Sequence, residues 1–115
     1  MSGKLNIKYT VILTFDVDVK GNNGVYKEVS DLLDEKGLKQ QISDKKLPSN
    51  IYTGVRVAEV EYKGEHLTLG DVKRMGDVLN STYWIVVNSF FKSKKLDHSI
   101  FVSVSRSETT SLKYE

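Results

Sequence analysis

The 115-residue chain has no cysteine, a single proline and only two histidines. Without thiols, disulfide staples, thiolate nucleophiles and cysteine-based zinc sites are excluded, and redox argument leaves the compartment open. The two imidazoles, His66 and His98, lie far apart with no HxxxH companion, which argues against a histidine metal site. Charge of one sign is also scarce. Seventeen Lys and Arg against fifteen Asp and Glu leave +2, too small a surplus to imply a nucleic-acid or membrane partner by itself. No run approaches the roughly 20 apolar residues that span a bilayer, and Met1 to Lys8 lacks the apolar stretch of a secretory signal. Phosphate-cradling glycine motifs and nucleophile elbows are missing too. These absences predict a cytoplasmic chain with no membrane partner.

What is present suits one globular domain spanning residues 1–115: 39% apolar and 28% charged residues support a single core. Residues 1–7 read as a loose leader, residues 8–106 as the ordered core, and the end as a polar tail. Tyr9, Val11, Leu13, Phe15, Val17 and Val19 alternate with mostly polar neighbours, so Lys8 to Val19 predicts a strand buried on one face. After the turn Lys20 to Gly24, Val25, Tyr26, Val29, Leu32 and Leu33 share a helical face. Gly37 follows as the stop of a helix from about Gly24 to Lys36. Leu38 to Ile42 predicts a short edge strand and Ser43 to Asn50 a loop. Ile51 to Tyr62 predicts a long strand, with Gly54 a bulge and a slip near Ala58 where the valines change face.

Thr68-Leu69-Gly70-Asp71 has capping-box spacing, and Val72, Met75, Leu79, Tyr83, Val86 and Phe90 follow at steps of three and four. That predicts a helix to about Lys92. The strand propensity of Tyr83 to Val87 leaves open a helix ending near Asn80 and a further strand. His98 to Arg106 is the last strand. The order predicts an α+β ferredoxin-like sandwich, a four-stranded antiparallel sheet with two helices on one face.

Two carboxylates, Asp16 and Asp18, end the first strand on its non-helix face. Hard oxygen donors at that spacing suit Mg²⁺ or Mn²⁺, which polarises a phosphodiester and activates water; the alternative is an acidic, solvated strand end. Arg56 is expected near Thr14 and Asp16, either gripping a phosphate or pairing with one of the aspartates. Lys92, Lys94 and Lys95, with Lys45 and Lys46, are basic clusters that read as phosphate contacts or as solvated ends. Tyr83 and Phe90 read as core.

The segment Tyr9 to Val17, closing in Phe15-Asp16-Val17, leads to a helix, a short strand and then Lys46-Leu47-Pro48-Ser49-Asn50-Ile51-Tyr52 entering a long strand. Over residues 8–106 this layout resembles the small CRISPR-associated ferredoxin-like nuclease superfamily, which takes in VapD-type toxins and GhoS-type endoribonuclease antitoxins. The resemblance implies Asp16 as the catalytic or metal-binding carboxylate, with its twin supplied by a second protomer. Two functional expectations result. One is a homodimeric endoribonuclease-like protein of toxin–antitoxin type that acts on RNA, using Asp16, Asp18 and Arg56. The other is a non-catalytic module, an antitoxin, inhibitor or regulatory domain, that buries an open sheet face carrying Ile12 and Phe101 against a second copy or another protein.

Overall fold

The computed structural model describes residues 2–42, 45–48 and 50–110. Five strands and two helices run in the order β1 (Ser2–Val17), α1 (Gly24–Glu35), β2 (Gln41–Ile42), β3 (Lys45–Lys46), β4 (Ile51–Lys63), α2 (Leu69–Ser93) and β5 (His98–Arg106), followed by a 3₁₀ turn over Ser107–Thr109. The three long strands form one antiparallel sheet in the order β4-β1-β5, and β2 pairs only with β3 in a separate ribbon. This is an α+β fold, roughly ferredoxin-like, with three paired strands where four are expected. The fourth is missing because Leu38 to Ile42 is short and polar. Of that stretch, Lys39 alone bridges to β4, at Thr53.

The expected leader is also corrected. Ser2 to Ile7 extends β1, pairing with the far half of β4, and Ile7 is buried opposite Ala58. At about 3.3 Å per residue, sixteen residues make β1 the long axis of a body 56 Å in extent. Asp18 and Val19 fall beyond its end. The register between β1 and β4 is unbroken from Ser2↔Lys63 to Thr14↔Ile51, so neither the bulge at Gly54 nor the slip at Ala58 occurs. Instead the even residues of β4, including Tyr52 and Val60, face the helices, and Val55 and Val57 are exposed on the opposite side. Gly54 serves a different purpose: a Cβ there would collide with the carbonyl of Gly37, where the end of α1 crosses the strand.

Both helices cover one face. Val11, Leu13 and Phe15 of β1 pack with Val25, Val29 and Leu33 of α1 and with Tyr83, Val87 and Phe91 of α2. Phe15 lies 5.1 Å from the Phe91 ring and 6.0 Å from Tyr52, an aromatic centre that anchors both helices on the sheet. The capping box of α2 forms as its spacing predicts: Thr68 Oγ1 accepts from the Asp71 amide at 3.1 Å, and Asp71 accepts from the Thr68 amide at 2.9 Å. The helix then continues unbroken to Ser93, which excludes the alternative strand at Tyr83 to Val87. At its start α1 is held by Asn22, whose side chain accepts from the Gly24 amide. It ends at Gly37 (φ +84°), with Gly37 and Leu38 donating back to Asp34 and Leu33 at 3.0 and 2.9 Å.

The expected loop Ser43 to Asn50 contains the two-residue β3; Ser43, Asp44 and Ser49, and residues 111–115 of the expected tail, lie outside the described residues. Among the described residues no helix is long and apolar enough to cross a membrane.

Candidate functional site

The alternation of β1 sorts every sequence-predicted residue to one face or the other. Odd positions carry the core; even positions Lys8, Thr10, Ile12, Thr14 and Asp16 point to the face without helices. β4 contributes Ile51, Thr53, Val55 and Val57 to that face, and β5 contributes Ser99, Phe101, Ser103 and Ser105. Phe101 is 63% exposed, Val55 60% and Val57 54%. Large apolar side chains on an uncovered sheet are the main departure from an ordinary surface in this part of the molecule. One corner is closed by the 3₁₀ turn, where Ser107 bonds Thr10 at 2.8 Å and Thr110 bonds Ser105 at 2.6 Å.

Asp16 is exposed at one end of this face, opposite Ser99. It borders a shallow pocket of about 240 Å³ with Thr14, Asn50, Ser99 and Phe101. Asp18 lies past the strand end, where its Oδ1 accepts from the Lys20 amide at 3.0 Å, a local turn contact. Among the described residues, no group of three His, Asp or Glu converges on one point. The two aspartates therefore offer a divalent ion two protein carboxylates at most, a number that Mg²⁺ accepts when water completes its shell.

Arg56 is not where the sequence reading puts it. It pairs in register with Tyr9, seven positions along β1 from Asp16, or about 23 Å. As an even residue of β4 it also rises on the helix side. Its Nη1 lies 3.4 Å from the Tyr83 hydroxyl, which in turn donates to the Lys36 carbonyl at 2.9 Å. Arg56 thus sits by the negative end of α1 and cannot share a phosphate with Asp16. β4 does run beside β1, as that expectation requires, but the register sets Arg56 opposite Tyr9 instead of level with Thr14 and Asp16.

Lys94 and His98 have structural partners. Lys94 pairs with Glu28 at 2.9 Å and caps the Phe90 ring, tying α2 to α1. His98 is held between the Leu96 carbonyl and Asn88, each at 2.8 Å. Phe91 is fully buried, whereas Phe90 packs only partly.

Two features escaped the sequence reading. Asn80 and Asn88, two turns apart on α2, reach the outer edge of β5, Asn80 donating to the Val102 carbonyl at 2.8 Å. Their spacing on one helix face was the available signal. The second is the outer edge of β4. Lys39 and Thr53 exchange both backbone bonds at 2.8 Å, so Thr53 turns its N–H and C=O away from β1. By the period of two, Val57, Glu59 and Glu61 do the same, and among the described residues nothing pairs with them.

Comparison with protein-family models, with curated proteins and with solved structures finds no match.

Proposed function

We propose that this protein is a non-catalytic interaction module that buries its open sheet face against a second copy. The observation that carries this reading is the exposed apolar set Val55, Val57 and Phe101 around the half-buried Ile12 on a face that no helix covers. The charges at its two ends favour a second copy over an unrelated surface. Lys8 and Asp16 stand four positions either side of Ile12 on the same face of β1. A twofold axis crossing β1 at Ile12 sets the two β1 strands antiparallel and places each Lys8 over the partner's Asp16. The alternative axis, along the strand, stacks like charges. Sheets packed in this way cross at about 30°, which still leaves the long side chains at the ends within reach.

Sedimentation or light scattering tests this directly. Wild type is expected as a dimer. Phe101→Lys, Lys8→Asp and Asp16→Lys each shift it towards monomer, and the double reversal Lys8→Asp with Asp16→Lys restores it. A wild type that stays monomeric at high concentration, or a double reversal no better than either single one, removes the reading.

A second reading keeps one supporting observation, the exposed Asp16 carboxylate beside its pocket. In it the chain, as its resemblance to the ferredoxin-like nucleases implies, is a homodimeric endoribonuclease in which Asp16 with Asp18 holds Mg²⁺ or Mn²⁺. The ion would supply an activated water at the phosphodiester. The two readings are opposed in geometry. The antiparallel dimer sets the two Asp16 side chains about 26 Å apart along the strands, whereas the nuclease needs them together. Labelled RNA with and without chelator, beside Asp16→Ala, separates them: chelator-sensitive cleavage lost in the variant favours the enzyme.

A further inference from the structure

Among the described residues no fourth strand joins the sheet, which leaves one edge of β4 open. In a four-stranded sheet of this connectivity the segment after α1 lies along the whole outer edge of β4. Here, among the described residues, it pairs with that edge through its backbone at Thr53 alone. The reason is one of lengths. Twelve residues of α1 reach about 18 Å, whereas the thirteen of β4 reach about 43 Å, so α1 and the chain leaving it serve only one end of the strand. Along the other end, Val57, Glu59 and Glu61 present six outward backbone groups with no partner among the described residues.

The first half of α2 packs over Ile7, Tyr9 and Val60, and beside this edge a groove of about 990 Å³ opens between the helix and the strand. Val60 and Tyr62 line it from β4, and Met75 and Val78 from α2. Val60 is buried at its base, while Val78 is 54% exposed on its wall. Arg74 also lines it, but its guanidinium is engaged by Asp71 at 2.6 Å.

We infer that this edge and groove accept an extended polypeptide segment as the fourth strand of the sheet. Alternating donors and acceptors along a strand edge match only another extended backbone, and such pairing is a recurrent mode of peptide capture. The alternation of side chains then states the guest's chemistry. Residues facing the groove meet Met75, Val78 and Tyr62 and must be apolar. Those opposite Glu59 and Glu61 share the open face and must be basic. Both glutamates are exposed, and their only ion pair among the described residues is with the single Lys4, at 3.6 Å to each. A contact that long and solvated leaves them available to a guest lysine or arginine. The occupant is therefore a segment in which apolar and basic residues alternate. This inference does not depend on the dimer, which uses the sheet face and not the edge.

The test is fluorescence polarisation with a labelled peptide of alternating valine and lysine, against the same peptide N-methylated on alternate residues to remove its pairing amides. Wild type is expected to bind the first saturably and the second at least about tenfold more weakly. Glu59→Pro removes an outward N–H without touching a bond to β1, because it is the even residues of β4 whose backbone groups hydrogen-bond to β1. Val78→Asp alters the groove wall at an exposed helix position. Each is expected to weaken binding about tenfold, with an unchanged circular dichroism spectrum and dimer content. Equal binding of the two peptides, or full affinity in Val78→Asp, overturns the proposal. If Glu59→Pro changes the oligomeric state and leaves peptide binding intact, the edge belongs to a second copy and the inference fails. Lys8→Asp is expected to bind peptide normally, so failure of the dimer reading and failure of this one are told apart.

Discussion

The side-chain amide of Asn80 donates to the backbone carbonyl of Val102 at 2.8 Å, across the outer edge of β5. That carbonyl points outward because the odd residues of β5 are the ones bonded to β1; on β4 the even residues bond to β1, and odd Thr53 turns outward. Eight positions later Asn88 holds His98. One edge of the sheet is thus screened by a helix, while along the other the charged β4 stays open.

Replacing Asn80 by alanine removes that screen. His98 to Arg106 has no charge or proline between its ends, the composition of a strand that pairs with its own kind. Asn80→Ala is expected to cost about 1 kcal/mol in denaturant unfolding and to increase scattering at high protein concentration. Unchanged scattering would show that the β5 edge is protected by something other than Asn80.

Gly54 and Gly76 both face neighbouring groups, and alanine is expected to act in opposite ways at the two. Gly54→Ala drives a methyl into the Gly37 carbonyl, backbone that cannot swing aside, and should destabilise by about 2 kcal/mol. Gly76 lies inside α2 with its nearest neighbour, Tyr9 Cε1, 3.6 Å from the added carbon. There alanine fits and should stabilise by about 0.5–1 kcal/mol through helix propensity. Thermal unfolding of the two variants checks the pair.

Lys95 holds φ at +56° just beyond α2, the position at which helices commonly place glycine. Leu96 and Lys95 donate back to Phe91 and Lys92, so the conformation is set by the helix end. Lys95→Gly relieves the strain and is expected to raise stability by about 1 kcal/mol, read from the denaturant midpoint.

The pH profile should have two separate limbs. Hydrogen bonds from the Thr68 amide and hydroxyl, then from Arg74, hold the Asp71 carboxyl below the usual aspartate value. Its contribution is present above the unfolded value, about 3.9, and is lost as pH falls through the lower folded one. Asp71→Asn should flatten this acid limb. Burial raises the Tyr9 and Tyr52 hydroxyls above the usual tyrosine range, with Arg106 and Ser30 opposing it in turn. Their contribution is complete below about pH 10 and is lost as pH rises through the folded values; Tyr9→Phe should move that alkaline limb upwards.

Much of the architecture was legible in local patterns. The Thr68–Asp71 box, the stop at Gly37, the helical face from Val25 to Leu33 and the alternation of Tyr9 to Phe15 each record a rule acting over a few residues. Asp16 and Phe101 were also correctly assigned to the open side, because the parity of β1 follows from its own apolar positions. Arg56 was not. Its place follows from the register of β4 against β1, which sets it opposite Tyr9. Nor could Ser2 to Ile7 be recognised as strand, since what holds it is the far half of β4.

By itself, then, the sequence determined the helices, their ends and the alternation of β1, all consequences of backbone preference and short-range spacing. Tertiary structure decided which face Arg56 occupies, which sheet edge is screened and which is left open, and that the sheet pairs three strands among the described residues. These depend on register, and register is set by pairing between segments far apart in the sequence, from Thr14↔Ile51 to Ser2↔Lys63. A displacement of one residue exchanges the two faces of a strand and leaves its composition untouched.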